Sequence, residues 1–186
     1  VKANYLQFNY SVDIQPRQLI KSKSTIAELL YRSSLNSILQ INRKELSQGK
    51  YLLNPFSGQL SDSTLISLQT FYSNTFYFNQ ANPKWGIEVT QNRASGKSLL
   101  NYGFESKVLS NLIMRLRFRI GRSWVANTSY RFTENELNNS NPAFSNRNFN
   151  LHQQSIEPSF TYIYKSNFRL VFSYKYSQKN NVIDSM

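Results

Sequence analysis

A chain of 186 residues is long enough for one domain with a full core, yet only 17% of it is charged and its mean hydropathy is −0.50, the polarity coming from Asn, Ser and Gln. Its 13 Phe, 12 Tyr and 2 Trp exclude a disordered tail; the absence of Cys excludes disulfide stapling and thiolate metal sites, and no apolar run approaches the roughly 18 residues of a membrane-crossing helix, so a membrane location requires a barrel. The formal net charge of +12 calls for an anionic partner, whether nucleic acid, acidic headgroups or lipopolysaccharide phosphates, and its sign does not choose among them.

Two-residue alternation, which puts every second side chain of a strand on one face, recurs down the chain. It begins with Leu6, Phe8, Tyr10, Val12 and Ile14 against Gln7, Asn9, Ser11 and Asp13. The connection at 15–28 follows, in which Ser24, Thr25, Ala27 and Glu28 before Leu29 and Leu30 resemble a capping signal for a short helix. A strand reading from about 29 competes with that helix, and the sequence leaves both open. Leu35, Leu39 and Ile41 share a parity in a strand at 29–43, as do Ile66, Leu68, Tyr72, Phe76 and Phe78 at 64–79. A short strand at 85–92 sets Trp85, Ile87 and Val89 against Glu88 and Thr90.

The clearest segment runs from about Phe104 through Val108 to Ile120, with Leu112, Met114, Leu116, Phe118 and Ile120 on one face and Asn111, Arg115, Arg117 and Arg119 on the other. Trp124, Ala126, Thr128, Tyr130 and Phe132 then alternate with Asn127, Ser129 and Arg131. Ile156, Phe160, Tyr162 and Tyr164 do so with Ser159 and Thr161. The last segment sets Phe168, Leu170, Phe172, Tyr174 and Tyr176 against Arg169, Ser173, Lys175 and Ser177. The expected fold is all-β, an antiparallel up-and-down meander of about eight long strands forming a transmembrane β-barrel or partial barrel.

A soluble sandwich also alternates, but its strands average about 5–6 residues, whereas tilted membrane strands need about 9–11. Several segments here sustain the longer length. Trp85, Trp124, Tyr164 and Tyr176 fall near strand ends, where amphipathic rings sit at headgroup level. A charge on the lipid face costs about 2–4 kcal/mol at the midplane, so Arg115, Arg117 and Arg119 belong in the lumen or outside the bilayer. The resulting assignment has a lumen-facing basic wall of Arg115, Arg117, Arg119, Arg131, Arg169 and Lys175. Leu112, Met114, Leu116, Phe118, Ile120, Phe168, Leu170 and Phe172 face lipid.

Short links at Asn79–Lys84, Gly121–Ser123 and Lys165–Asn167 alternate with longer ones near 44–62, 93–102 and 134–150, and only 15–28 breaks the rhythm. Barrels of the outer membrane have short periplasmic turns and longer outer loops. On that basis Glu134–Asn150 is a solvated outer loop, the first strand enters from outside, and Lys179–Met186 begins another loop. Residues 1–186 are then a single segment of a larger barrel, with both ends cut; the start at Val1 without a signal peptide agrees with a mature piece or a fragment.

The richness in Asn, Ser, Tyr, Phe and Lys, with stretches such as Asn54-Pro55-Phe56 and Phe76-Tyr77-Phe78-Asn79-Gln80-Ala81-Asn82-Pro83-Lys84, resembles large outer-membrane β-barrels of Bacteroidota-type bacteria. The resemblance is compositional and implies an outer-membrane setting, with no substrate attached to it.

Motifs for chemistry are sparse. His152, the one histidine, precedes Ser155 by three residues, which places them on opposite faces of a strand and out of reach as base and nucleophile. Gly96-Lys97-Ser98 has the ending of a phosphate-binding loop, but Gln91 stands where the first glycine is required. A nucleic-acid sheet needs rings and charges on one face, whereas Phe118 and Phe172 lie opposite their neighbouring arginines. The expectation is therefore a transport or channel-type, porin-like barrel segment of the bacterial outer membrane, not an enzyme, without cofactor or metal. Its expected partners are outer-membrane lipid and lipopolysaccharide, with an anionic solute as candidate cargo and no nucleic acid. The alternatives are a non-catalytic surface or assembly scaffold barrel and a soluble β-sheet binding protein.

Overall fold

A computed structural model describes residues 3–19, 25–46, 65–165 and 168–182. Nine antiparallel strands make one meandering sheet: β1 (Ala3–Ile14), β2 (Ser33–Leu46), β3 (Leu65–Phe78), β4 (Trp85–Leu100), β5 (Gly103–Ile120), β6 (Trp124–Asn139), β7 (Phe149–Tyr164), β8 (Phe168–Ser173) and β9 (Tyr176–Asn181). Each strand through β8 pairs with the next, β9 pairs with β7, and β1 does not meet β8, so the sheet is open among the described residues. The all-β antiparallel meander agrees with the alternation in the sequence.

β8 and β9 are one strand interrupted by its neighbour. Ser159 opposes Ser173 and Ile156 opposes Tyr176, so both partners step by three and the register is continuous. Between them Tyr174 donates its backbone N–H to the Pro158 carbonyl at 3.1 Å. An antiparallel pair of this kind exchanges two bonds, and proline has no N–H to return. The ladder loses one rung there, which turns the eighth expected strand into two.

Several sequence-based boundaries shift. The short strand at 85–92 continues to Leu100, so the expected loop at 93–102 is strand plus a turn at Asn101–Tyr102. The expected loop at 134–150 shrinks to 140–148, because β6 runs to Asn139 and β7 starts at Phe149. β9 carries the last strand to Asn181, past the expected loop start at Lys179. In these stretches the apolar residues no longer keep to one face: Leu137, Phe149 and Leu151 stand on the otherwise polar face and Leu99 and Leu100 on opposite ones, so the alternation is lost although backbone pairing continues. The helix alternative near residue 25 holds: α1 (Pro16–Leu19) and α2 (Thr25–Tyr31) link β1 to β2. The expected loop at 44–62, and with it Asn54-Pro55-Phe56, falls almost wholly outside the described residues. With a two-residue turn between β4 and β5, the regular alternation of short and long connections fails.

The two described connections at that end interlock. Asn141 caps a 3-10 turn (Pro142–Arg147) by accepting from Ala143 N, and its Nδ2 donates to the Tyr102 carbonyl at 2.8 Å. Tyr102 packs on Phe144 with ring centroids 4.4 Å apart. Ser140 Oγ accepts from Phe104 N at 2.8 Å, and a Cβ on Gly103, whose φ is +129°, would meet that oxygen at 2.9 Å. Only glycine fits both the backbone angle and the space.

The register sorts every strand residue onto one of two faces. One row of directly paired residues crosses the whole sheet, Ile14–Leu35–Phe76–Val89–Met114–Tyr130–Ile156–Tyr176, and every member is apolar or aromatic. Within the strands, only Tyr5 and Val171 of the exposed large hydrophobic side chains lie on the other face. Among the described residues no second layer of strands stacks on the apolar face, although Ile41 in β2 is buried there. Among the described residues the buried apolar side chains are Ala27, Ile41 and Leu65, and the chain exposes 13468 Å². A compact monomer of 21.7 kDa would expose roughly 9,200 Å². The described residues form a single layer without a core of its own.

The proline break gives the first test. Pro158→Ala restores the missing N–H, so amide exchange should slow across residues 174–176 and the folded state should gain about 0.5–1.5 kcal/mol. Unchanged exchange there would mean that something other than the missing donor splits β8 from β9.

Candidate functional site on the polar face

The second face carries the even residues of β2 and β4 and the odd residues of β1, β3, β5, β6 and β7. Two hollows of about 390 Å³ each are lined mainly by this face, so it is the hollowed side of the sheet. All five arginines assigned to the basic wall, Arg115, Arg117, Arg119, Arg131 and Arg169, stand on it. Lys175 sits in the gap between β8 and β9, outside any strand. The eight residues assigned to the opposite wall share the apolar face, where Phe118, Ile120, Phe168 and Phe172 are about half exposed or more (47%, 63%, 52% and 57%).

The arginines are not equivalent. Arg115 ion-pairs with Glu88, its cross-strand partner on β4, at 2.5 Å. Arg117 donates through one Nη2 to the carbonyls of Gln80 (3.1 Å) and Asn82 (3.0 Å), clamping the β3–β4 turn. It reaches them by crossing Gly86, where an added Cβ would lie 3.3 Å from the same nitrogen. Asn79, with φ 59°, completes this corner by donating Nδ2 to the Trp85 carbonyl at 3.1 Å. Arg119, Arg131 and Arg169 make no side-chain hydrogen bond or ion pair with other described residues. Two of the five guanidinium groups are thus engaged in holding the fold, and three are exposed and available to solutes.

The first hollow lies over this cluster, bounded by Tyr77, Glu88, Arg115, Asn127, Ser129 and Glu157. Its charge is close to balanced, two guanidinium groups with Arg117 against two carboxylates, so it is no concentrated anion trap. Parity in the sequence put the arginines and Glu88 on the polar side of their strands but paired neither with the other nor with the turn carbonyls, because cross-strand pairing depends on register, which alternation alone leaves undefined.

His152 lies on the apolar face, beyond the apolar rows. It opposes Glu134 in register at 3.5 Å and meets Phe132 edge-on at 5.7 Å. Ser155 is on the other face, as the spacing requires. Gly96, Lys97 and Ser98 are extended strand in β4, and Lys97 sits over the Phe104 ring at 4.7 Å, so that segment forms no phosphate-binding loop. Among the described residues no three His, Asp or Glu side chains gather as a metal site, and no helix is long and apolar enough to cross a membrane.

No protein-family model, curated protein or solved structure matches the chain.

The Arg117 clamp can be tested by a double-mutant cycle. Arg117→Gln and Gly86→Val should each destabilise the β3–β4 corner by about 1 kcal/mol and speed amide exchange at residues 79–84. The double variant should cost little more than the worse single one. Full additivity would show that Gly86 serves chiefly the approach of the Asn79 carbonyl oxygen, which the added Cβ would also meet at 3.3 Å, and not the passage of Arg117.

Proposed function

We propose that this chain forms a section of the wall of a bacterial outer-membrane β-barrel of transport or channel type, with the apolar face against lipid and the hollowed polar face lining an aqueous passage. The observation that carries the reading is the slope of the apolar band across the hydrogen-bonded rows. In β1 the alternating apolar stretch Leu6–Ile14 is centred on Tyr10, four residues from the row member Ile14. In the β8–β9 strand the stretch Phe168–Tyr176 is centred on Phe172, four residues from the row member Tyr176 on the opposite side of the row. In β5, between them, the stretch Leu112–Ile120 is centred on Leu116, two residues from Met114 on the same side as Phe172. The band therefore crosses eight residues of register in seven strand steps, counting β8 and β9 as one.

At about 3.3 Å per residue and about 4.8 Å between strands, that slope corresponds to a strand tilt of roughly 38° from the normal to the band. A soluble sandwich has no reason to keep such a slope, since its core follows the packing of two sheets. A bilayer slab imposes one, because its hydrocarbon is level while barrel strands tilt by about 35–45°. The height agrees as well. The nine-residue stretch Leu112–Ile120 spans about 30 Å along the strand, which at that tilt is about 23 Å of membrane normal, close to the apolar band of about 25 Å found in such barrels.

The polar face supports the passage. Its hollows, its hydroxyl and amide side chains and the three unpaired arginines, Arg119, Arg131 and Arg169, suit small hydrophilic solutes, with anions favoured over cations. The strands run on past the apolar band at the end carrying the Asn101–Tyr102 turn and the 140–148 connection. That end is the one assigned to the cell exterior, with lipopolysaccharide as its neighbour.

The reading is tested with the chain in lipid vesicles. Leu116→Arg, at the centre of the band, should cost about 2–4 kcal/mol and abolish heat-modifiable gel mobility, whereas Asn127→Arg on the opposite face should retain it. Cysteines at 114, 130 and 156 should react with a lipid-soluble maleimide and those at 129 and 131 with a water-soluble one. Equal tolerance of both arginine substitutions, or the reverse labelling pattern, would remove lipid from the apolar face.

A further inference from the structure

Near the end of the polar face away from the arginines, β4 is stripped to small side chains. Two adjacent rows of direct partners cross it there, Gln40–Phe71–Ala94–Leu109 and Asn42–Gln69–Gly96–Lys107. Ala94 and Gly96 form a low floor, with β2 and β3 rising on one side and β5 on the other, and the trough between them holds about 390 Å³. Space above the floor is open, since a Cβ on Gly96 would meet nothing within 4 Å.

The trough has a definite chemical character. Phe71 presents a ring on a face of β3 otherwise occupied at neighbouring positions by Gln69, Ser73 and Thr75. Beside it stand the amides of Gln40 and Gln69, both exposed and neither bonded to another described side chain, together with Asn42, whose Oδ1 is 3.4 Å from the Tyr5 hydroxyl. Each free amide offers two donors and one acceptor carbonyl at a fixed place. Among the described residues of the lining there is no carboxylate, and the single charge is Lys107.

We infer that this trough is a binding site for a neutral polyhydroxylated solute, a saccharide chain rather than an anion or an apolar ligand. An apolar ligand would strand the amides without partners, at a cost of about 1–3 kcal/mol for each buried group. An anion would find one lysine, whereas the exposed Arg119, Arg131 and Arg169 lie elsewhere on the face. A sugar ring has both halves of what the site offers: an axial face of C–H groups to lie on Phe71 and an equatorial rim of hydroxyls that both donate and accept toward Gln40, Asn42 and Gln69. The floor residues set the access, because any larger side chain at 94 or 96 would occupy the sugar's place.

The inference rests on the polar face being water-accessible, and the two are separated by the experiment. Gln40→Cys and Ala94→Cys are first treated with a water-soluble maleimide in vesicles. Failure of both to react removes the aqueous-wall reading, and this inference with it. With labelling established, the full chain in detergent micelles is titrated with maltohexaose, cellohexaose, chitohexaose and mannohexaose, with oligogalacturonate as the anionic control, and saturation transfer to the sugar protons is recorded. At least one neutral hexaose should bind in the millimolar range. Phe71→Ala should weaken it about tenfold, and Gly96→Trp should abolish it while heat-modifiable mobility and water-soluble labelling of a cysteine at 129 persist. Lys107→Gln should leave it unchanged. Binding by none of the four neutral sugars, binding insensitive to Phe71 and Gly96, or binding of the anionic control alone through Lys107 would each overturn the assignment.

Discussion

The structure depends on one unmet requirement: an apolar face that the described residues leave largely open. Fully burying a large aliphatic or aromatic side chain is worth about 1.5–3 kcal/mol, and this sheet leaves Met114, Phe118, Ile120, Phe160, Phe168 and Phe172 open on one side. The buried apolar side chains of the described residues, Ala27, Ile41 and Leu65, are too few to hold a domain together. A sheet of this kind is stable only when something of its own polarity takes up that face. On the proposed reading the bilayer does so, and the hydrophobic effect acts between sheet and solvent phase instead of between two layers of protein.

That substitution changes what holds the fold together. In hydrocarbon every backbone N–H and C=O must find a partner within the protein; between the strands the long ladders supply them, with an irregularity at Lys44/Glu45 and a lost rung at Pro158, while no described strand pairs with the outer edges of β1 and of β8–β9. The position of the lost rung is informative. The missing N–H lies on the side of β7 facing β8–β9, while the β6 side, where Pro158 opposes Thr128, is a pairing without backbone bonds. Proline is confined to the side where it breaks one rung near the sheet's margin, in keeping with its restriction to edges and bulges. Side chains reinforce the ladder on the polar face through Ser73 to Asn92 (2.6 Å) and Thr133 to Asn111 (2.7 Å).

How much of this was legible in the sequence follows from what alternation can and cannot carry. It fixes parity, so the faces of Leu112 to Ile120 and of the three neighbouring arginines could be assigned before any pairing was known. It fails where both faces have the same chemistry. Arg93-Ala94-Ser95-Gly96-Lys97-Ser98 has no apolar partner in its period and looks like a loop, yet it is the middle of β4, held by β3 and β5 on its two sides. In Glu134–Asn139 and Phe149–Ser155, which pair with each other beyond the apolar band, the few apolar residues, Leu137, Phe149 and Leu151, sit on the face that is polar elsewhere, so no stripe continues the pattern. Register was equally out of reach, and with it the partners of Arg115 and Arg117. Whether the sheet closes is a property of its margins, where the pattern of side chains carries no information.

The arginine row shows how register alters a functional argument. Read from parity alone, Arg115, Arg117 and Arg119 are three adjacent cations on one wall, a strong local field for anions. Register places Glu88 against Arg115 and the Gln80 and Asn82 carbonyls against Arg117, which leaves Arg119 as the one of the three without a described partner. Carbonyl oxygens and a carboxylate draw on the same positive charge that an anion would use, so the local preference for anions is far weaker than the count of arginines suggests. The arginines of the wall without a described partner, Arg119, Arg131 and Arg169, are spread over β5, β6 and β8. Charge distributed in this way biases a passage toward anions without binding any one of them tightly, which is the condition under which a wall can pass solutes instead of retaining them.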